Sequence, residues 1–347
     1  MGILAGLVLG VTVALLAPGW VLWMRPGLQP LFAVTMFFLG TLVRREDVSA
    51  FATAPGRALS GLAFQYTIMP LSAFGVSLCF DDPVIKSGII LVGCMPGAMT
   101  SNVMTALLSG DLILSVTMTT VATLASPLLL ALWLPLLLDT QLAVPVASLA
   151  WDATWMVVLP VAAGTLLRAF RPAMPRGWDR LATVLASASI LAIITLVAAV
   201  NRERLEALGP GLALGMLALN LAGYGLAFAA ASLRGWPPRQ RRTLVVEVGM
   251  QNAGLGSVLA LSHLGEAGAV PSAFYTILCV FTAACALPLI RRRCDGAPRR
   301  PRGPAPGPGR RPCAPGSGGA RVRRAPRPGE WSRVPCRPSP PRPRGWR

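Results

Sequence analysis

Charge and histidine are what this 347-residue chain has least of. Charged residues make up 13% of it, His263 is its single histidine, and tyrosine occurs three times. So little charge beside 54% hydrophobic residues and a mean hydropathy of +0.59 excludes an ordinary water-soluble globule, in which about a quarter of residues are charged. One histidine removes most hydrolase constellations that rely on an imidazole base. The seven cysteines (Cys79, Cys94, Cys279, Cys285, Cys294, Cys313 and Cys336) contain no C-x-x-C pair, so they read as small core residues or free thiols. Without clustered Cys and His, no transition-metal site is expected.

The net charge of +18 suggests a nucleic-acid binder until it is located. Residues 1–290 are nearly neutral at +3, whereas residues 291–347 carry 17 Arg against Asp295 and Glu330 and hold 14 of the 32 prolines. An Arg/Pro/Gly/Ala tail of this kind cannot bury a core, so 291–347 is expected to be disordered, or the product of a shifted reading frame in a GC-rich gene. It carries no aromatic interleaving, which argues against a nucleic-acid partner and leaves attraction to anionic lipid as its alternative.

Ten apolar stretches precede the tail, at roughly 3–24, 28–43, 58–80, 84–108, 112–138, 142–167, 181–200, 211–233, 243–264 and 269–290. Stretches of about 20 apolar residues suit bilayer-spanning helices. The first lacks the basic flank and cleavage site of a signal peptide and is read as a mature helix. Arginine and lysine alternate between the connections: Arg44, Arg45, Arg57, Arg168, Arg171, Arg176, Arg180, Arg234, Arg239, Arg241, Arg242 and Arg291 to Arg293 fall on one side, and only Arg25, Lys86, Arg202 and Arg204 on the other. Positive loops stay cytoplasmic, so both termini are expected there.

Two of the ten spans are interrupted. The fourth breaks at G-C-M-P-G-A-M-T-S-N (93–102) and the ninth at E-V-G-M-Q-N-A-G (247–254), the fourth position of each set of five. Proline and glycine break a helix in mid-membrane only where the freed backbone lines a cavity. Paired breaks in two halves, about 1–140 and 141–290, point to an inverted-repeat transporter with its site at the breaks.

The polar residues at these breaks are costly in a bilayer. A mid-membrane carboxylate costs about 2.5–3.5 kcal/mol on insertion scales, so Glu247 needs a partner or a task. Gln251, Asn252 and the carbonyls of Val248 and Met250, exposed by unwinding at Gly249, would complete an oxygen cage for a hard monovalent cation such as sodium. Thr100, Ser101 and Asn102 offer the same chemistry on the other break. Ser115 and Thr119 share one face of the fifth span, though hydroxyls bonded back to their own helix are the plainer alternative. Gln65 stands evenly between helix–helix adhesion and ion ligation. The alternative for Glu247 is a salt bridge to Arg241 or Arg242. His263 reads as an interfacial polar tip.

At the breaks the sequence resembles the bile acid:sodium symporter family. The likeness rests on L-V-G-C-M-P-G-A-M-T-S-N-V-M-T, on G-D-L-I-L-S-V-T-M-T-T-V-A-T-L-A-S-P-L and on V-E-V-G-M-Q-N-A-G-L, with a weaker likeness over 28–290 that includes Q-Y-T-I-M-P at 65–70. The resemblance implies an all-α membrane fold of ten helices in two inverted five-helix repeats. It also implies a panel of spans 1, 2, 6 and 7, and a core of spans 3, 4, 5, 8, 9 and 10 in which the broken helices cross. It implies two sodium sites, one of Ser101, Asn102, Ser115, Thr119 and Glu247, the other of Gln65, Glu247, Gln251 and the carbonyls of Val248 and Met250. Met99 and Thr100 depart from the family's usual G-G-[TA]-A-S-N break, and Cys279 and Val280 align where relatives often carry a His-Asn pair. With Asn252, these are the expected substrate contacts.

The expectation is therefore no enzyme but a sodium-coupled symporter of an organic anion in the plasma (inner) membrane, with a small keto or hydroxy acid or pantoate-like cargo ahead of a steroid-like one. No obligate protein partner is evident. A proton-coupled carrier is the nearest rival, and a regulatory membrane protein acting through the basic tail is a rival of another class.

Overall fold

The computed structural model describes residues 16–44, 55–138, 145–171, 173–203 and 209–295, with Ser49 and a few positions before residue 16. Residues 3–5, 7, 8, 11 and 15 of the first expected span, and the tail from residue 296, lie outside the described residues. Among the described residues every extended element is helical: α1 Leu28–Gly40, α2 Pro55–Ser77, α3 Pro83–Gly93, α4 Thr100–Leu107, α5 Leu112–Leu137, α6 Val146–Phe170, α7 Trp178–Val200, α8 Gly209–Leu233, α9 Pro238–Gly249, α10 Ala253–His263 and α11 Gly265–Asp295. Six of these, α2, α5, α6, α7, α8 and α11, are long and apolar enough to cross a membrane. The fourth and ninth expected spans each appear as a pair of short helices, α3 with α4 and α9 with α10, and α1 has 13 residues.

Local signals fix the ends. Asp82 caps α3 by accepting the amides of Val84 and Ile85 at 2.8 and 3.3 Å, with Pro83 in the first turn where its missing N–H costs nothing. Asp111 caps α5 through the Leu114 amide at 3.2 Å, and the Asn252 side chain caps α10 through the Leu255 amide, also at 3.2 Å. α11 runs to Asp295, five residues past the expected end, and takes the Arg291–Arg293 run into its last turns.

The outward faces are apolar: Phe170, Leu128 and Leu136 are all exposed, as befits helices solvated by lipid. Inside, one cluster gathers Met69, Met118, Leu219, Leu244 and Tyr275, and a second gathers Phe32, Met36, Leu149, Met156, Ile193 and Leu259. α1 and α6 approach so closely that a side chain on Gly40 would strike the Val161 backbone, and one on Gly164 the Phe37 carbonyl. Small residues permit such contact where no hydrophobic drive separates helix from lipid.

The start of α9 grips the turn between α4 and α5. Arg242 Nη1 donates to Leu108 O at 2.9 Å, Arg239 to Gly110 O at 3.2 Å, Gln240 to the Asp111 carboxylate at 3.3 Å, and the Asp111 amide donates to Thr243 Oγ1 at 2.8 Å. This grip fixes α9, and Glu247 one turn further on, against α4 and α5. At the opposite end of the helices, Arg25 pairs with Glu266 at 3.0 Å, Gln29 donates to Ser262 at 2.9 Å, and His263 Nε2 lies 2.8 Å from Asp152 Oδ2. His263 is therefore tied across to α6 and is more than the polar tip expected.

Candidate functional site

The two breaks meet each other. Pro96 has no amide proton and its ring disfavours helix for its predecessor, so α3 stops at Gly93 and the chain resumes as α4 at Thr100. α9 stops at Gly249 and α10 starts at Ala253. Each gap leaves backbone groups without helical partners in a region without water, and the gaps satisfy one another. Gly97 and Gln251 form an antiparallel bridge, in which the Ala98 amide donates to Met250 O at 2.8 Å and the Asn252 amide to Pro96 O at 2.7 Å. The breaks are shorter than the sequence suggested: Thr100, Ser101 and Asn102 lie in the first turn of α4, and Glu247 to Gly249 in the last turn of α9.

Glu247 is fully buried, with three hydroxyls around its carboxylate. Ser101 Oγ stands 2.7 Å from Oε1, Ser115 Oγ hydrogen-bonds the same oxygen, and Thr119 Oγ1 stands 2.8 Å from Oε2. Those hydroxyls have other acceptors in reach as well: Ala98 O at 2.6 Å from Ser101, Asn102 Oδ1 at 2.8 Å from Ser115, and Ser115 O at 2.9 Å from Thr119. With Thr105 Oγ1 3.2 Å from Ser115 Oγ, these three hydroxyls have six acceptor oxygens in reach. Arg242 spends its guanidinium on Leu108 and Ser109 carbonyls, and Arg241 donates to Trp236 O and lies over the Phe228 ring. The salt bridge weighed for Glu247 is not made.

The surplus of oxygen extends past Glu247. Gln65 is buried with neither amide atom hydrogen-bonded, and Gln251 Oε1 is likewise without a donor. A methyl group on Gly97 would stand 2.9 Å from Glu247 Oε2 and 3.5 Å from Gln65 Nε2, so glycine keeps this space open for both side chains. Gln251 Nε2 donates to Val248 O at 2.8 Å, and Met250 O accepts the Ala98 amide, so each carbonyl has one hydrogen bond and one lone pair left. Buried polar atoms without partners are rare, and here they gather at the crossing of the two breaks.

Beside the crossing lies a cavity of about 60 Å³. All five residues expected to touch substrate, Met99, Thr100, Asn252, Cys279 and Val280, line it, as does Gln251. Its far wall was not foreseen: Phe32, Met36 and Leu39 of α1 and Ile190, Ile193 and Ile194 of α7. These look like ordinary apolar helix residues, and nothing in their spacing distinguishes a cavity wall from core. A second hollow shares Leu39, Met99, Thr100 and Ile190 with the first and continues past Asn102 to Val43 and Thr183. Among the described residues no lysine, arginine or histidine lines either one.

Sequence reasoning also missed the support behind the second break. Gly249 O accepts from Asn220 Nδ2 at 2.8 Å and from Tyr275 OH at 2.9 Å, and Thr282 Oγ1 donates to Asn220 Oδ1 at 2.7 Å. The available signal was Asn220 itself, an amide in the middle of an apolar span.

Comparisons with known proteins supply the family. The profile of the sodium bile acid symporter family matches residues 29–209. The chain is 34% identical over 265 residues to an uncharacterized sodium-dependent transporter, YocS, of Bacillus subtilis, covering 75% of this chain and 81% of that one. It belongs to the sodium bile acid symporter family. It is also 29% identical over 272 residues to the probable chloroplastic sodium/metabolite cotransporter BASS1 of Arabidopsis thaliana, covering 78% of this chain and 68% of that protein. With the human ileal sodium/bile acid cotransporter it shares 29% identity over 263 residues, 74% of this chain and 75% of the relative. This symporter-family chain is thus an integral membrane protein of a sodium-dependent transporter family, not an enzyme.

Proposed function

We propose that this protein is a symporter that couples an organic monoanion to sodium by alternating access. The observation that carries the reading is the oxygen surplus at the crossing. Glu247, Ser101, Asn102, Ser115 and Thr119 would hold one sodium ion, and Glu247, Gln65, Gln251 and the carbonyls of Val248 and Met250 a second, sharing the carboxylate. A hard cation is drawn to such a set and supplies the positive charge that Glu247 and the unbonded amide oxygens lack. Because the first set joins Ser101 and Asn102 beside one break to Glu247 beside the other, sodium would clamp the crossing and so shape the adjoining cavity.

For the cargo, the cavity's lack of cationic side chains favours a single negative charge over two. The anion would be met by the amino-terminal turns of α4 and α10, by Thr100, and by the Asn252 side-chain NH2 group, with Met99, Cys279 and Val280 around its body. The apolar α1 and α7 wall favours a branched or aliphatic body. We therefore keep a small apolar keto or hydroxy acid first and a steroid-like anion second.

The reading includes ten spans in two inverted five-helix repeats, a core that carries the crossed helices, a panel that includes α1, α6 and α7, and both termini on the cytoplasmic side of the plasma (inner) membrane. The hollow runs from the crossing toward Val43 and Thr183, beside the arginine-rich connections. The Arg25–Glu266, Gln29–Ser262 and Asp152–His263 contacts bridge the other end. Both features suit a carrier open to the cytoplasm and latched outside.

Thermal unfolding of the purified protein in sodium against potassium at equal ionic strength tests the reading, because a ligand that binds only the folded state raises its stability. We expect a sodium-specific rise, absent in Glu247→Ala. A folded, monodisperse wild type that gives no rise in sodium overturns sodium coupling.

A further inference from the structure

The arginine-rich end carries another, open hollow of about 410 Å³, remote from the crossing and lined by Gly56, Arg57, Ser60, Arg234 and Trp236. We propose that it binds the phosphodiester headgroup of an anionic phospholipid between Arg57 and Arg234.

The two guanidinium groups are held in place by rings. Arg57 Cζ lies 5.3 Å from the centroid of the Trp236 ring, and Arg234 Cζ lies 5.6 Å from that of Phe64. Those rings pack edge to face with centroids 6.2 Å apart, so the four side chains form one interlocked unit. These ring contacts use no hydrogen-bond acceptor, so guanidinium N–H donors remain for an anion, and the planar fork of arginine suits phosphate. Among the described residues neither arginine is paired with a carboxylate. The Ser60 hydroxyl gives its proton to Gly56 O at 2.6 Å, which leaves the arginines as the cavity's charged donors.

What lies next to the arginines argues for a lipid over a soluble phosphate. Leu233, adjacent to Arg234, is 88% exposed, and Leu59, two residues into the helix from Arg57, is 47% exposed. Both sit on apolar helices at the end where α2 begins and α8 finishes, so they face acyl chains while the arginines stand at headgroup depth. A phosphodiester with attached chains satisfies the cations and covers the leucines at once, which a free ion cannot do.

The test is thermal unfolding of the full-length protein in detergent, titrated with short-chain phosphatidylglycerol, short-chain phosphatidylcholine or inorganic phosphate. We expect phosphatidylglycerol alone to raise the unfolding temperature, and Arg57→Gln with Arg234→Gln to raise the lipid concentration at half-effect at least tenfold while leaving the stabilisation by sodium unchanged. Ser60→Trp, which fills the cavity without removing charge, should act in the same direction. An equal response to inorganic phosphate or to phosphatidylcholine overturns the proposal, as does an undiminished lipid response in both variants. So does an equal loss in Arg176→Gln with Arg180→Gln, a pair outside the cavity.

Discussion

The two breaks pair with each other through the same kind of backbone bridge, yet they are chemically unequal. The first, Cys94 to Met99, is six residues long, is imposed by Pro96 and contains no ionisable oxygen ligand. The second, Met250 to Asn252, is three residues long, contains no proline, and follows directly on the buried carboxylate of Glu247. A proline enforces its own break, whereas the second needs outside support, and receives it from Asn220 and Tyr275 on the Gly249 carbonyl. The inequality suggests a division of labour. On the proposed function, the second break would supply the charge that attracts an ion, and the first would supply Ser101 and the open space at Gly97.

Removing the charge from the second break should have the largest effect. Glu247→Ala is expected to abolish sodium-dependent stabilisation and to lower sodium-driven uptake in proteoliposomes by about 100-fold or more, since losing one partner of a buried charged set costs roughly 3–5 kcal/mol. If Ser101→Ala does equal damage, the two breaks are not unequal after all.

Closing the space at the first break comes next. Gly97→Ala puts a methyl group 2.9 Å from Glu247 Oε2, and the sodium concentration for half-maximal stabilisation should rise by about tenfold, the equivalent of about 1.4 kcal/mol. Unchanged sodium dependence would show that the carboxylate and Gln65 need not share that space.

Support of the second break is worth less. Asn220→Ala leaves Gly249 O with Tyr275 alone and Thr282 without an acceptor in Asn220, and should lower stability by about 1–2 kcal/mol. The drop should show as a lower unfolding temperature both with and without sodium. A drop confined to the sodium-bound form would instead make Asn220 part of the ion site.

The smallest change expected concerns the latch. Asp152→Asn weakens the contact to His263, and at about 1 kcal/mol it should shift the balance of inward and outward states by roughly fivefold. Alkylation of Cys279 by a membrane-impermeant thiol reagent from the outer face would report the shift. A rate unchanged from wild type would remove that contact from the gating scheme.

Much of the site was legible in the sequence because a bilayer makes polar residues conspicuous. Glu247, Gln251 and the S-N pair at 101–102 stand out wherever apolar residues are the rule, and Pro96 with Gly97 announces a break that only a cavity-lining backbone tolerates. Ser115 and Thr119 were harder, since a hydroxyl in a membrane helix bonds its own backbone as readily as a ligand. Thr119 does so here while also reaching Glu247. The α9 grip on residues 108–111 was read only as positive charge in a cytoplasmic loop, because loop charge carries no information about which carbonyl it will meet.

By itself the sequence determined an apolar, helical membrane chain, the place of both helix breaks, and an oxygen-rich chemistry at them, because hydrophobic length, proline and buried carboxylate are properties of short segments. Only the tertiary structure decided that Gly97 would lie against Gln251, that Glu247 would face hydroxyls and not arginine, and that α1 and α7 would wall the cavity. Those pairings join residues more than a hundred positions apart, and which faces of two helices meet depends on packing across the whole bundle, which no local pattern encodes.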